Sequence, residues 1–120
     1  LALGAPAFLA AAAADELSAG GMPTDVHVVN GLPLSAGRLT AMLTPYAEGV
    51  VTVEDGLIGT TASGIRGFAA VVASAAQELG TVCRHVGIGD PRTAPSEGHM
   101  ETWAHFGITA DALGAAVRGL

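Results

Sequence analysis

Four short β-prone segments alternate along this chain with segments of helical periodicity, and this alternation limits the possible folds more than any other feature. The β-prone segments span residues 1–3, 26–29, 50–53 and 83–86. Strands separated by helical connections normally lie parallel, because a right-handed crossover returns the chain to the same end of the sheet. Helices then cover both faces of that sheet. We therefore expect an α/β protein built on a parallel sheet.

Glycine, proline and capping residues bound the helical segments. The first is predicted over residues 6–19, with Phe8 on its buried stripe. A short helical segment precedes Pro45, and the longest helix ends at Gly80, where the absence of a β-carbon favours a stop. Thr109 is placed to cap a closing helix, because its hydroxyl can accept a hydrogen bond from the first turn.

Composition indicates one globular domain and excludes several classes of partner. The chain has 120 residues, is 50% apolar and carries a net charge of −6. No apolar run is long enough to cross a bilayer, and no lysine is present to complement the five arginines. Because no basic face is available to neutralise phosphates, we expect binding to neither nucleic acid nor membranes. The expected organisation is one domain over residues 1–120.

A single cysteine, Cys83, allows no intramolecular disulfide and no paired metal ligands. It lies in a β-prone segment, so we expect a small buried side chain in a reducing, cytoplasmic compartment. His85 lies two residues away on the same strand face, which is weak support for a catalytic thiol. Residues 1–14 could alternatively form the apolar region of a signal peptide, but a strand, a glycine and a helix explain the same residues.

A candidate ligand crevice lies where the first and third strands are predicted to end. Ligands of open α/β sheets bind beyond the carboxyl ends of the strands, at the point where strand order reverses. The residues expected there are Gly4, Glu54, Asp55, Gly56 and Gly64. The turn over residues 59–64 could cradle an anion, although it has no lysine to reach a phosphate, and tight packing at a helix start explains it better. Adjacent carboxylates on a strand point to opposite faces, so we expect capping rather than acid–base catalysis.

The segment over residues 87–107 is rich in glycine, proline and charge, and we expect it to be irregular. It carries two histidines, His99 and His105, together with Glu101. A helix there would bring Glu101 and His105 together at a spacing of four, but no third metal ligand follows. No catalytic, cofactor-binding or metal-binding residue is therefore assigned. A small hydrolase or metal enzyme built on these three side chains is the weakest of the functional alternatives.

Several segments resemble the C-terminal domain of transketolase-type thiamine diphosphate enzymes. That family shows a strand closing on a small-residue turn, a Leu-Pro-Leu turn, and an apolar strand ending in two acids. A glycine-rich helix start follows, and the most specific match is an aromatic-Gly-Ile-Thr-Ala sequence before the last helix. The pattern is closer to transketolase and deoxyxylulose phosphate synthase than to the β chains of 2-oxoacid dehydrogenases. The matching segments are residues 1–4, 30–34, 50–55, 64–70, 86–90, 94–98 and 106–113.

The resemblance implies a three-layer α/β/α sandwich on a mostly parallel sheet. The family's one antiparallel edge strand normally precedes the stretch found here, so we expect it to be absent. In the implied strand order, the strand over residues 1–3 is central, between those over residues 25–30 and 50–53.

The resemblance also implies a domain that is not catalytic by itself. In the family, two preceding domains bind thiamine diphosphate and Mg²⁺ through Gly-Asp-Gly and a downstream Asn. This chain has Gly89-Asp90-Pro91, and its Asn30 lies upstream. The implied partners are the catalytic domains or subunit of such an enzyme, together with further copies of this chain, and the parent reaction is ketol transfer between sugar phosphates. The alternative is an independent module that binds a small ligand or a nucleotide.

Overall fold

Strands and helices alternate along the chain as the sequence predicts. The computed structural model describes residues 1–58 and 67–120. The elements, in chain order, are β1 (Ala2–Leu3), α1 (Ala7–Ala19), β2 (Val28–Val29), α2 (Ala36–Leu43), β3 (Val50–Leu57), α3 (Phe68–Leu79), β4 (Cys83–Ile88), a 3₁₀ turn (Pro91–Thr93), α4 (His99–His105) and α5 (Ala110–Arg118).

The four strands form one sheet in the order β2-β1-β3-β4, and every pairing is parallel. Ala2 is in register with Val28 on one side and with Val53 on the other. The first strand is therefore central, between the second and third, as the resemblance implies. Strand order reverses between β1 and β3, so the carboxyl ends of these two strands border the predicted crevice.

Two apolar cores lie on opposite faces of the sheet, because successive strand residues point to opposite sides. Helices α2 and α3 cover one face, where Leu39, Leu43 and Val72 are fully buried. Helices α1, α4 and α5 cover the other face, where the core lies around Trp103 and Leu113. This arrangement is the α/β/α sandwich expected for the chain.

Three predictions about local structure need correction. Segment 87–107 is not irregular, since it contains a 3₁₀ turn and α4, whose seven residues are too few to show a period. Phe8 is 53% exposed. Helix α1 is apolar on nearly all sides, so periodicity could not identify its buried face. Residues 25–30 pair as a strand only at Val28–Val29, on the edge of the sheet.

Strand β3 is longer than expected, because it continues past an irregularity to pair Leu57 with Ile88. The predicted turn over residues 59–64 falls outside the described residues, as does the first turn proposed for the longest helix. Within the described ranges, none of the helices has both the length and the apolar character needed to traverse a bilayer.

Candidate functional site

The carboxyl ends of β1 and β3 meet at one edge of the sheet. Gly4 ends β1 with a φ of +67°, a conformation that side chains other than glycine rarely adopt, and its amide donates to the Val29 carbonyl at 3.3 Å. Continuing the register of Ala2 with Val53 places Gly4 beside Asp55. Gly4 thus follows the end of β1, whereas Glu54, Asp55 and Gly56 lie inside β3, which continues to Leu57 and was predicted to end before them. Gly64, the fifth crevice residue, lies outside the described residues.

Glu54 is buried, with 4% of its surface exposed, and its side chain reaches the first turn of α3. Its Oε1 accepts a hydrogen bond from the Ala69 amide at 2.8 Å. A β-carbon at Gly67, the residue before α3, would lie 3.3 Å from both carboxylate oxygens and 2.5 Å from the Leu57 carbonyl oxygen. Glycine is therefore needed for this close approach. Glu54 caps α3, while Asp55 is exposed, in agreement with the expected opposite orientations.

This capping contact bears on the possibility of an anion site. The amides of a first helical turn and the helix dipole attract negative charge, which is how phosphates bind at such ends. Here the negative charge at Ala69 is supplied by the chain itself, through Glu54. A phosphate at this amide would have to displace a buried carboxylate and would be repelled by it. The geometry disfavours a phosphate at the start of α3.

A second polar cluster lies on the same sheet face, one residue pair further from the crevice. Thr52 is completely buried, and its Oγ1 lies 2.7 Å from Nδ1 of His85, its partner on β4. Burial lowers the pKa of His85, and the nearby Glu54 carboxylate opposes that shift. Cys83 Sγ lies 3.9 Å from the same nitrogen, and burial raises the pKa of this thiol to about 11. A thiol with a raised pKa is a poor nucleophile, so this arrangement does not support Cys83 as a catalytic thiol.

The two histidines of α4 make aromatic contacts. His99 meets Trp103 edge to face, with ring centroids 5.2 Å apart, and His105 meets Phe106 in the same way at 4.9 Å. Across residues 1–58 and 67–120, no three histidine, cysteine or acidic side chains are grouped closely enough to hold a metal ion. The arrangement of His99, Glu101 and His105 gives a metal enzyme no support.

The chain is similar to a known protein in structure, although no family model matches its sequence. No protein-family model and no curated protein matches the sequence. Among solved structures, the chain is similar to one described as "Split gene transketolase, inactive beta4 tetramer", with a TM-score of 0.79 and 26% sequence identity. The alignment covers 98% of this chain and 37% of that chain.

This chain is a transketolase C-terminal-like domain. The identification rests on the strand order, the all-parallel pairing and the near-complete coverage of the chain by the alignment. The chain spans only 37% of the length of its structural neighbour. The domain therefore corresponds to one part of a larger protein of that kind.

The aspartate whose sequence context comes nearest to the family's cofactor motif is engaged by a neighbouring arginine. Asp90 is the aspartate of Gly89-Asp90-Pro91, and its carboxylate accepts hydrogen bonds from Arg92 Nε and from the Arg92 amide. An ion pair with Arg92 also engages Oδ2, at 2.6 Å. These contacts hold the pKa of Asp90 at about 2. An aspartate engaged by arginine in this way is a poor metal ligand, and no step of the chemistry is assigned to it.

Sequence analysis missed a third polar cluster of the domain, at the opposite end of the sheet. The Tyr46 hydroxyl lies 2.7 Å from His27 Nε2 and 2.8 Å from Asp25 Oδ2. Tyr46 lies 19 residues after His27 and 21 residues after Asp25, in a different loop. No local spacing in the sequence could therefore have paired them. One local signal was present, since Asp25 and His27 have alternate positions in an extended segment and share a side.

Proposed function

We propose that this domain is the C-terminal domain or split subunit of a transketolase-like, thiamine diphosphate-dependent enzyme and acts through assembly with the catalytic part. The observation that carries the proposal is the match of 98% of the chain to 37% of a split-gene transketolase chain. The parent reaction is ketol transfer between sugar phosphates. Thiamine diphosphate and Mg²⁺ belong to the partner domains, and the lone Cys83 favours a cytoplasmic setting.

The surroundings of the polar side chains support a role in which the isolated domain is not catalytic. Glu54 caps α3, Asp90 pairs with Arg92, and the thiol of Cys83 has a raised pKa. An enzyme needs a nucleophile or a base aimed into a cleft. These three groups are instead engaged in contacts that stabilise the fold.

Exposed apolar side chains support assembly, since large apolar groups on the surface favour contact with a partner. Within residues 1–58 and 67–120, nine large apolar residues are more than a third exposed: Phe8, Met22, Val28, Leu32, Val71, Leu79, Val82, Met100 and Leu120. Leu32 is the most exposed of these nine, at 61%, and lies in the turn between β2 and α2. The structural neighbour is itself described as a tetramer. We infer that further copies of the chain, or the catalytic subunit, cover part of this apolar surface.

Mixing experiments test the assembly role directly. The encoding reading frame and its upstream neighbour are located first, and the two products are then co-purified. Thiamine diphosphate-dependent ketol transfer is measured with Mg²⁺. Activity is expected in the mixture and in neither component alone. Light scattering of the isolated chain is expected to show a mass above that of the monomer. A strict monomer at high concentration that binds no catalytic partner would refute the proposal.

The alternative, an independent nucleotide-binding module, receives less support because Glu54 occupies the amide at the start of α3. A thermal-shift series with nucleotides and sugar phosphates separates the two functions. A ligand at one hundred times its dissociation constant stabilises the folded state by about 2.7 kcal/mol. Stabilisation of that size in the isolated chain would favour the alternative.

A further inference from the structure

The cluster of Asp25, Tyr46 and His27 lies at the amino ends of the strands, at the opposite end of the sheet from the crevice. Tyr46 is the central member, in contact with both other side chains. Its ring also meets that of His27 edge to face, with centroids 5.4 Å apart. The hydrogen bond to Asp25 raises the pKa of Tyr46, so the hydroxyl keeps its proton. A neutral Tyr46 therefore joins the carboxylate to the imidazole.

Two cavities adjoin at this cluster and share Asp25, Tyr46 and Gly49 as lining residues. The smaller of the two, called the inner cavity, has a volume of about 50 Å³ and is also lined by His27. It can hold a group the size of an ammonium or a water molecule, since water occupies about 30 Å³ in the liquid. The outer groove has a volume of about 570 Å³. That volume is in the usual range of small-molecule sites, roughly 300 to 1,000 Å³.

The direction of the hydrogen bonds determines which chemical groups the cluster can still bind. An ionised carboxylate only accepts, so the Tyr46 hydroxyl must donate its proton to Asp25. The Tyr46 oxygen then accepts from His27 Nε2–H. Within the described ranges these three side chains make no other hydrogen bond. The Asp25 carboxylate therefore keeps lone pairs that can accept, and a ligand must bring donors.

The outer groove adds apolar walls and a net negative charge. Its apolar lining includes Met22, Val117 and Leu120. Glu48 and Arg118 also line it, and their opposite charges offset each other. The amino group of Leu1, which lines the inner cavity, has its pKa lowered to about 6 by burial and is mostly uncharged at neutral pH. Asp25 then remains as the uncompensated charge facing the ligand. A cation with an apolar body matches both properties.

We propose that this double cavity binds a primary ammonium carried on a short apolar body. The ammonium enters the inner cavity and donates to Asp25, while the apolar body lies along the outer groove. Primary ammonium groups carry three N–H donors, which match the acceptor oxygens of the Asp25 carboxylate. A charge-assisted hydrogen bond to a carboxylate is about twice as strong as a neutral one, so Asp25 contributes most of the binding.

Isothermal titration calorimetry and amide NMR of the whole chain test this site with 2-phenylethylammonium. Two analogues serve as ligand controls: 2-phenylethanol lacks the charge, and the N,N,N-trimethyl derivative keeps the charge but has no N–H. Saturable binding is expected for the primary ammonium, with shifts at Asp25 and Tyr46. Both analogues are expected to bind at least about tenfold more weakly, because each loses the charge-assisted hydrogen bonds.

Variants at the cluster distinguish specific binding at Asp25 from nonspecific apolar binding in the groove. Asp25→Asn is expected to weaken binding about tenfold, and Tyr46→Phe to weaken it by a smaller factor while keeping the ring. Asp15→Asn is the matched control, because Asp15 is an exposed carboxylate on α1 that lines neither cavity. It should bind as the unmodified chain does, and melting curves verify that each variant is folded. Equal binding of 2-phenylethanol, equal effects of D25N and D15N, or no saturable binding would overturn the proposal.

Discussion

Glu54 shows how one side chain connects two layers of the domain. It belongs to β3, yet its carboxylate is hydrogen bonded to the backbone of α3, 15 residues later. Burying a carboxylate is costly unless it is well hydrogen bonded, and the positive end of a helix provides both donors and a favourable dipole. The contact therefore fixes where α3 begins relative to the sheet.

The charge of Glu54 can be tested with an isosteric change. Glu54→Gln keeps an oxygen for the Ala69 amide but loses the negative charge at the start of α3. We expect a loss of about 1 to 2 kcal/mol in the free energy of unfolding. Urea denaturation measures it, with Glu16→Gln on the exposed side of α1 as the control. A loss equal to that of the control would show that the charge at α3 is unimportant.

Asp90 and Arg92 form an exposed ion pair that should be visible in a pH titration. The contacts with Arg92 lower the pKa of Asp90 from 3.8 to about 2. Because the folded-state value is the lower one, the contribution to stability is complete above pH 3.8 and is lost as the pH falls through about 2. Carboxyl NMR of Asp90 is expected to show this midpoint. In Arg92→Gln the midpoint should rise towards 3.8, and an unchanged midpoint would contradict the assignment.

Helix α5 depends on contacts at both of its ends. At its start, the Thr109 hydroxyl accepts from the Ala112 amide at 3.1 Å. Beyond its last turn, Arg84 of β4 donates to the Gly119 carbonyl at 2.6 Å. The intervening residues pack on α1 and on the sheet. Local capping and a tertiary contact thus act on the same nine-residue helix.

Removing the cap of α5 should weaken the fold by a modest amount. Thr109→Ala leaves the Ala112 amide without its partner, and we expect a loss of about 1 kcal/mol in the free energy of unfolding. Thr109→Ser retains the hydroxyl and should lose much less. Thermal and urea unfolding of the pair measure the difference. If both variants lose the same stability, methyl packing rather than capping is responsible.

The molecule as a whole is organised by its sheet, which separates two apolar cores. Val72 is completely buried on the α2–α3 side, and Ile108 is 1% exposed on the side of α1, α4 and α5. Neither residue packs in the other's core. The two cores should nevertheless unfold together, because β3 and β4 contribute side chains to both.

A double-mutant cycle across the sheet tests this organisation. Val72→Ala is expected to cost about 2 kcal/mol and Ile108→Val about 1 kcal/mol. Separate sites without shared partners add to within about 0.5 kcal/mol, so the double variant should lose about 3 kcal/mol in one transition. Denaturant unfolding followed by fluorescence and circular dichroism provides the measurement. Two separate transitions, or a coupling well above 0.5 kcal/mol, would refute this view of the cores.

Much of the architecture could be predicted from the residues themselves. The alternation of strands and helices predicted the parallel sheet, and Thr109 was placed correctly as a helix cap. The resemblance supplied the strand order. These features depend on periodicity, caps and turns within a few residues of each other, which a sequence displays directly. Helix α4 escaped prediction because it is short, and Phe8 was assigned to the wrong side of α1 because alanine surrounds it.

The sequence by itself determined the fold class and the ends of several helices. Only the tertiary structure decided that Glu54 caps α3 and that Asp25, Tyr46 and His27 meet at the other end of the sheet. Local patterns act through neighbours along the chain, so they can be read one segment at a time. Contacts between layers depend on how those segments pack, which no spacing of residues specifies.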